Sequence, residues 1–392
     1  MPPHHDVIIV GGAVHGASAA YHLAAHRGFT GSVLLIEKDP SFQHAASALS
    51  AASIRQQFSD PTNIGISLFG IDFLRSIAQT LAVDGEAPSI SLVEGGYLFL
   101  ATAAGRATLV ENHVRQTALG ADIALLEREQ LARRFPYLAL DDIAAGAFGA
   151  TGEGWFDGYG LMQAFRRKAR ALGVATATGT VAEILTTGDR ATGVRLADGA
   201  IVEGGAVILA AGTGTRALIE PLGVPLPVEA RKRCIFTFAC RTELPAFPML
   251  IDPSGVYCRP EGELFLCGAA PDAANDGDAT DFDVDHALFE EVIWPRLAER
   301  VPAFEAIRPA RSWAGHYDMN LFDHNAIVGR VPGFDNLLIA NGFSGHGLQQ
   351  APAVGRGLAE LVADGRYASL DLAPLGYERI AAKRPMIEKN IV

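Results

Sequence analysis

The sequence predicts a two-part α/β protein, a doubly wound and mostly parallel sheet into which a second, strand-rich domain with a mixed or antiparallel sheet is inserted. Three observations carry this. Asp6 to Asp39 reads as strand, glycine turn, helix, strand; Ala206 to Leu209 is an apolar run stopped by Ala-Ala-Gly-Thr-Gly; and Asn336 to Ala340 is another such run followed by a glycine-rich loop and a long amphipathic helix. The expected division is 1–85, 153–224 and 310–392 for the discontinuous first domain, and 86–152 with 225–309 for the second.

Val7 to Val10 is apolar and β-branched, Gly11-Gly12 stops it, and an alanine-rich helix is predicted from about Val14 to Ala25. A second strand, Ser32 to Ile36, ends on Glu37, 26 positions after Gly11, where a carboxylate can bind both hydroxyls of an adenosine ribose. Gly11 and Gly16 hold the outer places of the three-glycine fingerprint and Ala13 the middle one, so backbone N–H groups and the helix start still face a diphosphate. This is a Rossmann-like dinucleotide unit. The motif by itself leaves NAD and FAD open; its place at the head of the chain favours a flavin.

The 392 residues exceed a single core, and half of them are hydrophobic without any run near the ~18 residues a membrane helix needs. With 32 Lys and Arg against 44 Asp and Glu, the net charge of −12 argues against nucleic acid or an anionic membrane as partner and for a small molecule. The first strand follows the N-terminus at once, so a cytoplasmic protein is expected. Cys234, Cys240, Cys258 and Cys267 lack metal or redox spacing and read as buried thiols.

Gln43 to Ser59 is a run of small residues in which Ser47 and Ser50 could lie against a flat ligand and Arg55 is the lone cation; Asn63 to Leu81 then has helical periodicity. Strands are predicted at Gly96 to Ala101 and Ala144 to Phe148 around a helix from Arg106 to Leu119. Leu161 to Leu172 is a basic helix whose Arg166, Arg167, Lys168 and Arg170 read as a solvated face. Further strands follow at Arg231 to Cys240, Gly255 to Pro260 and Glu263 to Gly268, with a helix from Val284 to Arg300 broken at Pro295. Aspartates 272, 276, 278, 281 and 283 lack the order of a calcium loop and are expected in a solvated one; no metal site is predicted.

Taken together, V-I-I-V-G-G-A-V-H-G, I-E-K, S-A-L-S-A-A-S-I-R-Q-Q-F, V-I-L-A-A-G, R-S-W-A-G-H-Y-D-M and G-F-S-G-H-G-L-Q-Q-A-P-A-V-G occur in order along the chain and resemble the D-amino-acid oxidase superfamily of FAD enzymes, which contains sarcosine and glycine oxidases. I-R-Q-Q-F-S-D-P-T-N-I is most similar to a branch that includes a mitochondrial flavoprotein linked to respiratory complex assembly. The resemblance implies FAD along the sheet edge. It assigns the pyrophosphate to Gly11, Gly12, Ala13, Val14, His15 and Gly16, the adenosine end to Glu37, Lys38 and the backbone of Val181, and the ribityl chain and ring to Ser47, Ala48, Ser50, Ala51 and Ala52. Ala211, Gly212 and Gly315 lie nearby, while Gly342, Phe343, Gly345, His346, Gly347, Leu348 and Gln349 belong to the pyrimidine side, where helix-start N–H groups stabilise negative charge.

Departures from that family pattern bear on chemistry. The resemblance places Ser50 where related dehydrogenases carry a flavin-linking histidine and Gly315 where sarcosine oxidases carry a linking cysteine, which implies noncovalent FAD. Tyr317 stands where glycine oxidases fix a primary amino acid with arginine, tilting the substrate toward a secondary amine. Gln349 and Leu266 replace two lysines of sarcosine oxidase, one for the substrate carboxylate and one for oxygen activation, so the electron acceptor is either O2 or an unidentified carrier.

The expected catalytic set is Arg55, for a carboxylate or the flavin; Tyr257 and Arg259, alternating onto one strand face; and Tyr317, His346 and Gln349. Arg231, Lys232 and Arg233 offer more positive charge, and if one or two of these cations line the cavity a dicarboxylic amine such as iminodiacetate fits better than sarcosine. The expected activity is FAD-dependent oxidation of the C–N bond of an N-substituted glycine. The competing readings are a D-amino-acid dehydrogenase or oxidase on the same fold and a non-catalytic flavin-bearing assembly protein.

Overall fold

Four consecutive residues, Val7 to Val10, are buried on both faces of the first strand, which is why an uninterrupted apolar run marks a central parallel strand; each contributes roughly 2 kcal/mol of hydrophobic burial. The computed structural model describes residues 4–389. His4–Val10 lies between Val33–Glu37 and Ile201–Leu209, parallel to both, and Leu337–Asn341 continues the sheet in parallel on the far side of Ile201–Leu209. Ala175–Thr178 forms one edge and the antiparallel Ile327–Arg330 the other, while Val181–Thr187 and Arg190–Leu196 form a hairpin attached to Ile201–Leu209.

The helices Val14–Ala25, Pro61–Thr80, Gly158–Ala171 and Gly347–Ala363 bury their apolar faces in one core on one side of this sheet. The first and last of them pack closely. Ser18 Oγ donates to the carbonyl of Ala351 at 2.7 Å, so the two glycine loops that precede these helices are held at the same edge of the sheet.

The second eight-stranded sheet runs Ile307–Asn320, Val228–Cys240, Leu264–Gly268, Tyr257–Glu261, Met249–Ile251, Tyr97–Thr102, Ile143–Gly149 and Ile123–Glu127. It is antiparallel except where Met249–Ile251 meets Tyr97–Thr102. The expected boundary at residue 310 needs correcting, because Ile307–Asn320 pairs along the whole of Val228–Cys240 and belongs to this sheet. One sheet face carries Leu98, Phe236, Phe238 and Cys258 into a core shared with Phe289, Leu297 and Phe304. The helix leading into that core runs on through Pro295 but changes its hydrogen-bond pattern there: a π-turn, Leu288–Ile293, runs directly into Trp294–Arg300, and the wider turn accommodates a residue with no N–H to donate.

A two-stranded ribbon, Ser53–Ile54 with Gly154–Trp155, links the two parts. Beyond it Glu388 accepts hydrogen bonds from Ser59 N at 2.7 Å and Asn63 Nδ2 at 2.6 Å, tying residues late in the chain to the start of the helix Pro61–Thr80.

Candidate functional site

The carboxyl ends of the central strands open into a cavity of about 900 Å³, at the large end of small-molecule sites and where open α/β sheets bind ligands. Its walls include Gly11, Ala13, Val14 and His15 from the first glycine loop, and Glu37 and Lys38 from the end of the second strand. Ser47, Ser50, Val181, Ala211 and Gly212 continue them, and Phe343, Gly345, Gly347 and Leu348 close them from the second glycine loop. The two loops touch: the His15 ring stacks on Phe343 with centroids 3.7 Å apart. Burial pushes the His15 imidazole down to about 3, so it is neutral at ordinary pH. Glu37 faces the same loop, accepting from Gly12 N at 2.6 Å and from Asp39 N at 2.8 Å.

Other expected cofactor residues stand behind these walls. Gly16 packs under the carbonyl of Gly11, where a Cβ would come within 1.8 Å of the oxygen. Gly12 is backed by Glu37 and by Arg166, Ala48 lies in the short helix Ala46–Leu49, and Gly315 packs against Leu49. The Ala51 carbonyl accepts from Arg259, the Ala52 carbonyl from Phe156 N, and Gly342 N donates to Asp318 Oδ2 at 2.8 Å.

Several lining groups escaped the sequence reading. Asp318 carries its carboxyl into the cavity wall, where burial pushes its pKa up to about 6. The acidic loop is not simply solvated: Asp278, Ala279, Thr280 and Phe282 line the cavity, because Asp276 and Asp281 pair with Arg233 and Lys232 and draw the loop over the sheet. Phe282 stacks on His316 at 4.2 Å. Arg166 is a further correction, for its guanidinium lies over Phe42 and donates to the Gly12 carbonyl at 3.0 Å. Only the run of positive charge Arg231-Lys232-Arg233 offered a signal for the loop contacts, and nothing local marked Arg166 apart from its helical neighbours.

Most of the residues expected to meet a substrate lie on the second sheet. Cross-strand partners place Phe99, Ile251, Tyr257, Gly268, Ile235 and Trp313 in one row, so by the two-residue period Tyr97, Arg259, Arg233 and Tyr317 share that face. It is the face opposite the helical core and it points at the small-residue run. Arg259 is 4% exposed, pairs with Glu261, donates to the Ala51 carbonyl at 2.7 Å and lies over Trp155. Arg233 makes a bidentate pair with Asp276 at 2.6 and 2.8 Å and sits over Tyr317. Arg231 pairs with Glu229. Burial raises the Tyr257 and Tyr317 phenols above their ordinary range, so both stay protonated.

Arg55 differs. Its guanidinium lies 4.7 Å from the Phe58 ring centroid and 5.2 Å from that of Phe99; Nη2 is 3.0 Å from His346 Nε2, and Nε is buried without a hydrogen-bond partner. Among the described residues no carboxylate forms an ion pair with it. Burial, and then the Arg55 charge, push His346 down to about 3; a neutral ring can accept from Arg55. Gln349, expected in the catalytic set, is buried, and its Oε1 accepts from Arg55 N at 2.8 Å. A fully buried carboxylate that the sequence reading passed over, Glu153, accepts from Gln56 N, Gln57 N and Gln57 Nε2, and burial pushes its pKa up to about 7.

Two helix openings facing one long cavity, with an acid at the end of the second strand, define a dinucleotide-binding oxidoreductase site. The family model "FAD dependent oxidoreductase", DAO, matches residues 6–361, and the chain belongs to that family. It is 39% identical over 429 residues to "FAD-dependent oxidoreductase domain-containing protein 1" of Xenopus laevis, covering 100% of this chain and 86% of that one. It is 28% identical to the sarcosine oxidase subunit beta of an Arthrobacter species, over 96% of this chain and 91% of that one. Among solved structures, L-proline dehydrogenase from P. horikoshii superposes with a TM-score of 0.87 at 24% identity, covering 98% and 100% of the two chains. The cofactor is therefore FAD, and the bare backbone at both helix starts, with the cavity volume, fits it. Among the described residues no helix is long and apolar enough to cross a membrane, and no cluster of side chains could hold a metal ion.

Proposed function

We propose that the chain oxidises the C–N bond of a secondary amino acid bearing one carboxylate, an N-substituted glycine of the sarcosine kind. Arg55 carries this reading: it is a guanidinium held between two phenylalanine rings, beside a neutral histidine, with its Nε unpartnered and no carboxylate ion-paired to it among the described residues. The dicarboxylate alternative loses its second cation, since Arg231, Arg233 and Arg259 already hold Glu229, Asp276 and Glu261. Tyr97, Tyr257 and Tyr317 give that face aromatic walls without a further positive charge. The similarity to a sarcosine oxidase subunit supports an N-methyl amine.

FAD, when bound, supplies the two-electron acceptor. The residues then have little acid–base work: they orient the amine, exclude competing poses, and leave water to hydrolyse the imine released after the α C–H hydride and the N–H proton depart. Ser50 and Gly315 offer no side chain for a covalent link, so acid precipitation is expected to release the yellow colour into the supernatant.

Anaerobic mixing of the yellow enzyme with sarcosine, iminodiacetate and a D-amino-acid panel tests the reading. Bleaching by sarcosine or a longer N-alkyl glycine supports it. Bleaching by D-amino acids alone, by iminodiacetate alone, or by none of them overturns it. Re-oxidation in air compared with a quinone then identifies the acceptor class.

A further inference from the structure

Arg55 hangs from very little regular structure. The ribbon that precedes it has two pairs, Ser53 with Trp155 and Ile54 with Gly154; one more step along that register puts Arg55 opposite Glu153. There the backbone ladder stops and a side chain replaces it. Glu153 is 0% exposed, and its Oε1 receives the N–H groups of Gln56 and Gln57 while Oε2 receives Gln57 Nε2 at 2.7 Å. Gln57 Nε2 also reaches the carbonyl of Tyr97 at 3.1 Å, in the second sheet. Gly149 clears the space: a Cβ there would lie 2.0 Å from Glu153 Oε2. From the other side Gln349 holds Arg55 N.

A carboxylate in so dry a place is costly unless its hydrogen bonds and charge are answered. Here N–H groups answer the first, and the nearby Arg55 charge favours the ionised form. An acid is poorly chosen for mere packing. It is well chosen to clamp two consecutive residues, Gln56 and Gln57, while opposing the charge of the one before them.

We infer that Glu153 is a positioning residue that aims the Arg55 guanidinium at an anionic ligand, through its grip on Gln56 and Gln57. This rests on the reading that Arg55 receives the substrate carboxylate, and the experiment separates the two. The FAD-loaded protein is titrated with acetate and with its uncharged isostere acetamide, and binding is read from the visible flavin spectrum for the wild type, Arg55→Met and Glu153→Gln.

The wild type is expected to prefer acetate, and Arg55→Met to lose that preference. Glu153→Gln is expected to weaken acetate roughly tenfold while leaving acetamide binding and FAD content unchanged. Arg55→Met keeping the preference overturns the carboxylate reading and this inference with it. Glu153→Gln binding acetate as the wild type does, or losing acetate and acetamide alike, overturns this inference and leaves Arg55 in its role. If Glu153→Gln does not fold, Gln57→Met carries the test: a lowered acetate-to-acetamide ratio supports the clamp, and an unchanged ratio sinks it.

Discussion

The two glycine openings look alike in plan and differ in what presses on them. In the first, a Cβ on Gly16 would meet a backbone oxygen, that of Gly11, at 1.8 Å; in the second, a Cβ on Gly345 would meet the Tyr317 ring at 2.5 Å. Backbone in a turn pinned between a central strand and its helix has little room to retreat, whereas a side chain can turn. The first opening is therefore the stiffer of the two, and the second, which carries Gln349 under Arg55 and Gly345 against Tyr317, the more yielding; we propose that the first serves the cofactor and the second adjusts to the substrate.

Gly16→Ala is the strongest attempt to break this contrast. Overpacking against backbone costs about 3 kcal/mol or more, and the purified variant is expected to be nearly colourless; a fully yellow Gly16→Ala protein would end the distinction. Acid titration sharpens it at an intermediate level, since each opening carries one histidine that is neutral in the fold, His15 and His346. Their folded pKa lies below the ordinary 6.5, so beneath pH 6.5 the unfolded chain binds more protons and stability falls as pH falls. His15→Phe keeps the stack on Phe343 and is expected to remove about 2 kcal/mol of that loss by about pH 5 in denaturant melts. An unchanged acid slope contradicts the neutral assignment.

The smallest effect belongs to Gly345→Ala. Its φ of +94° is uncomfortable for alanine, yet the main obstacle is a ring that can move. FAD content is expected to hold and KM for the amine to rise about tenfold, roughly 1.4 kcal/mol. Loss of flavin instead would show the two openings to be equally rigid.

What was legible in the chain follows the same line. The helix Val14–Ala25 could be read to the residue and the strand that feeds it to its end at Val10, though that strand begins at His4 rather than Val7, because periodicity and glycine stops are local. The alternation of Tyr257 and Arg259 onto one face was legible too; which face looks at the site depends on pairing across six strands. Ile123–Glu127 and Met249–Ile251 went unread, the first because it is a half-exposed edge strand, the second because three residues show no period. Glu153 reads as one acid inside a glycine turn. Its meaning comes from amides 97 and 96 positions away. The acidic loop misled for the same reason, since its answering cations lie on a strand some forty residues earlier.

The grip of Glu388 on Ser59 and Asn63 sets an order of assembly. During synthesis the first glycine loop and its helix emerge early, but the last fastening of the segment leading from Arg55 into Pro61–Thr80 waits until residue 388 has left the ribosome. Ribosome-stalled chains of increasing length, followed by flavin polarisation and by carboxylate binding, are expected to acquire the two capacities in that sequence.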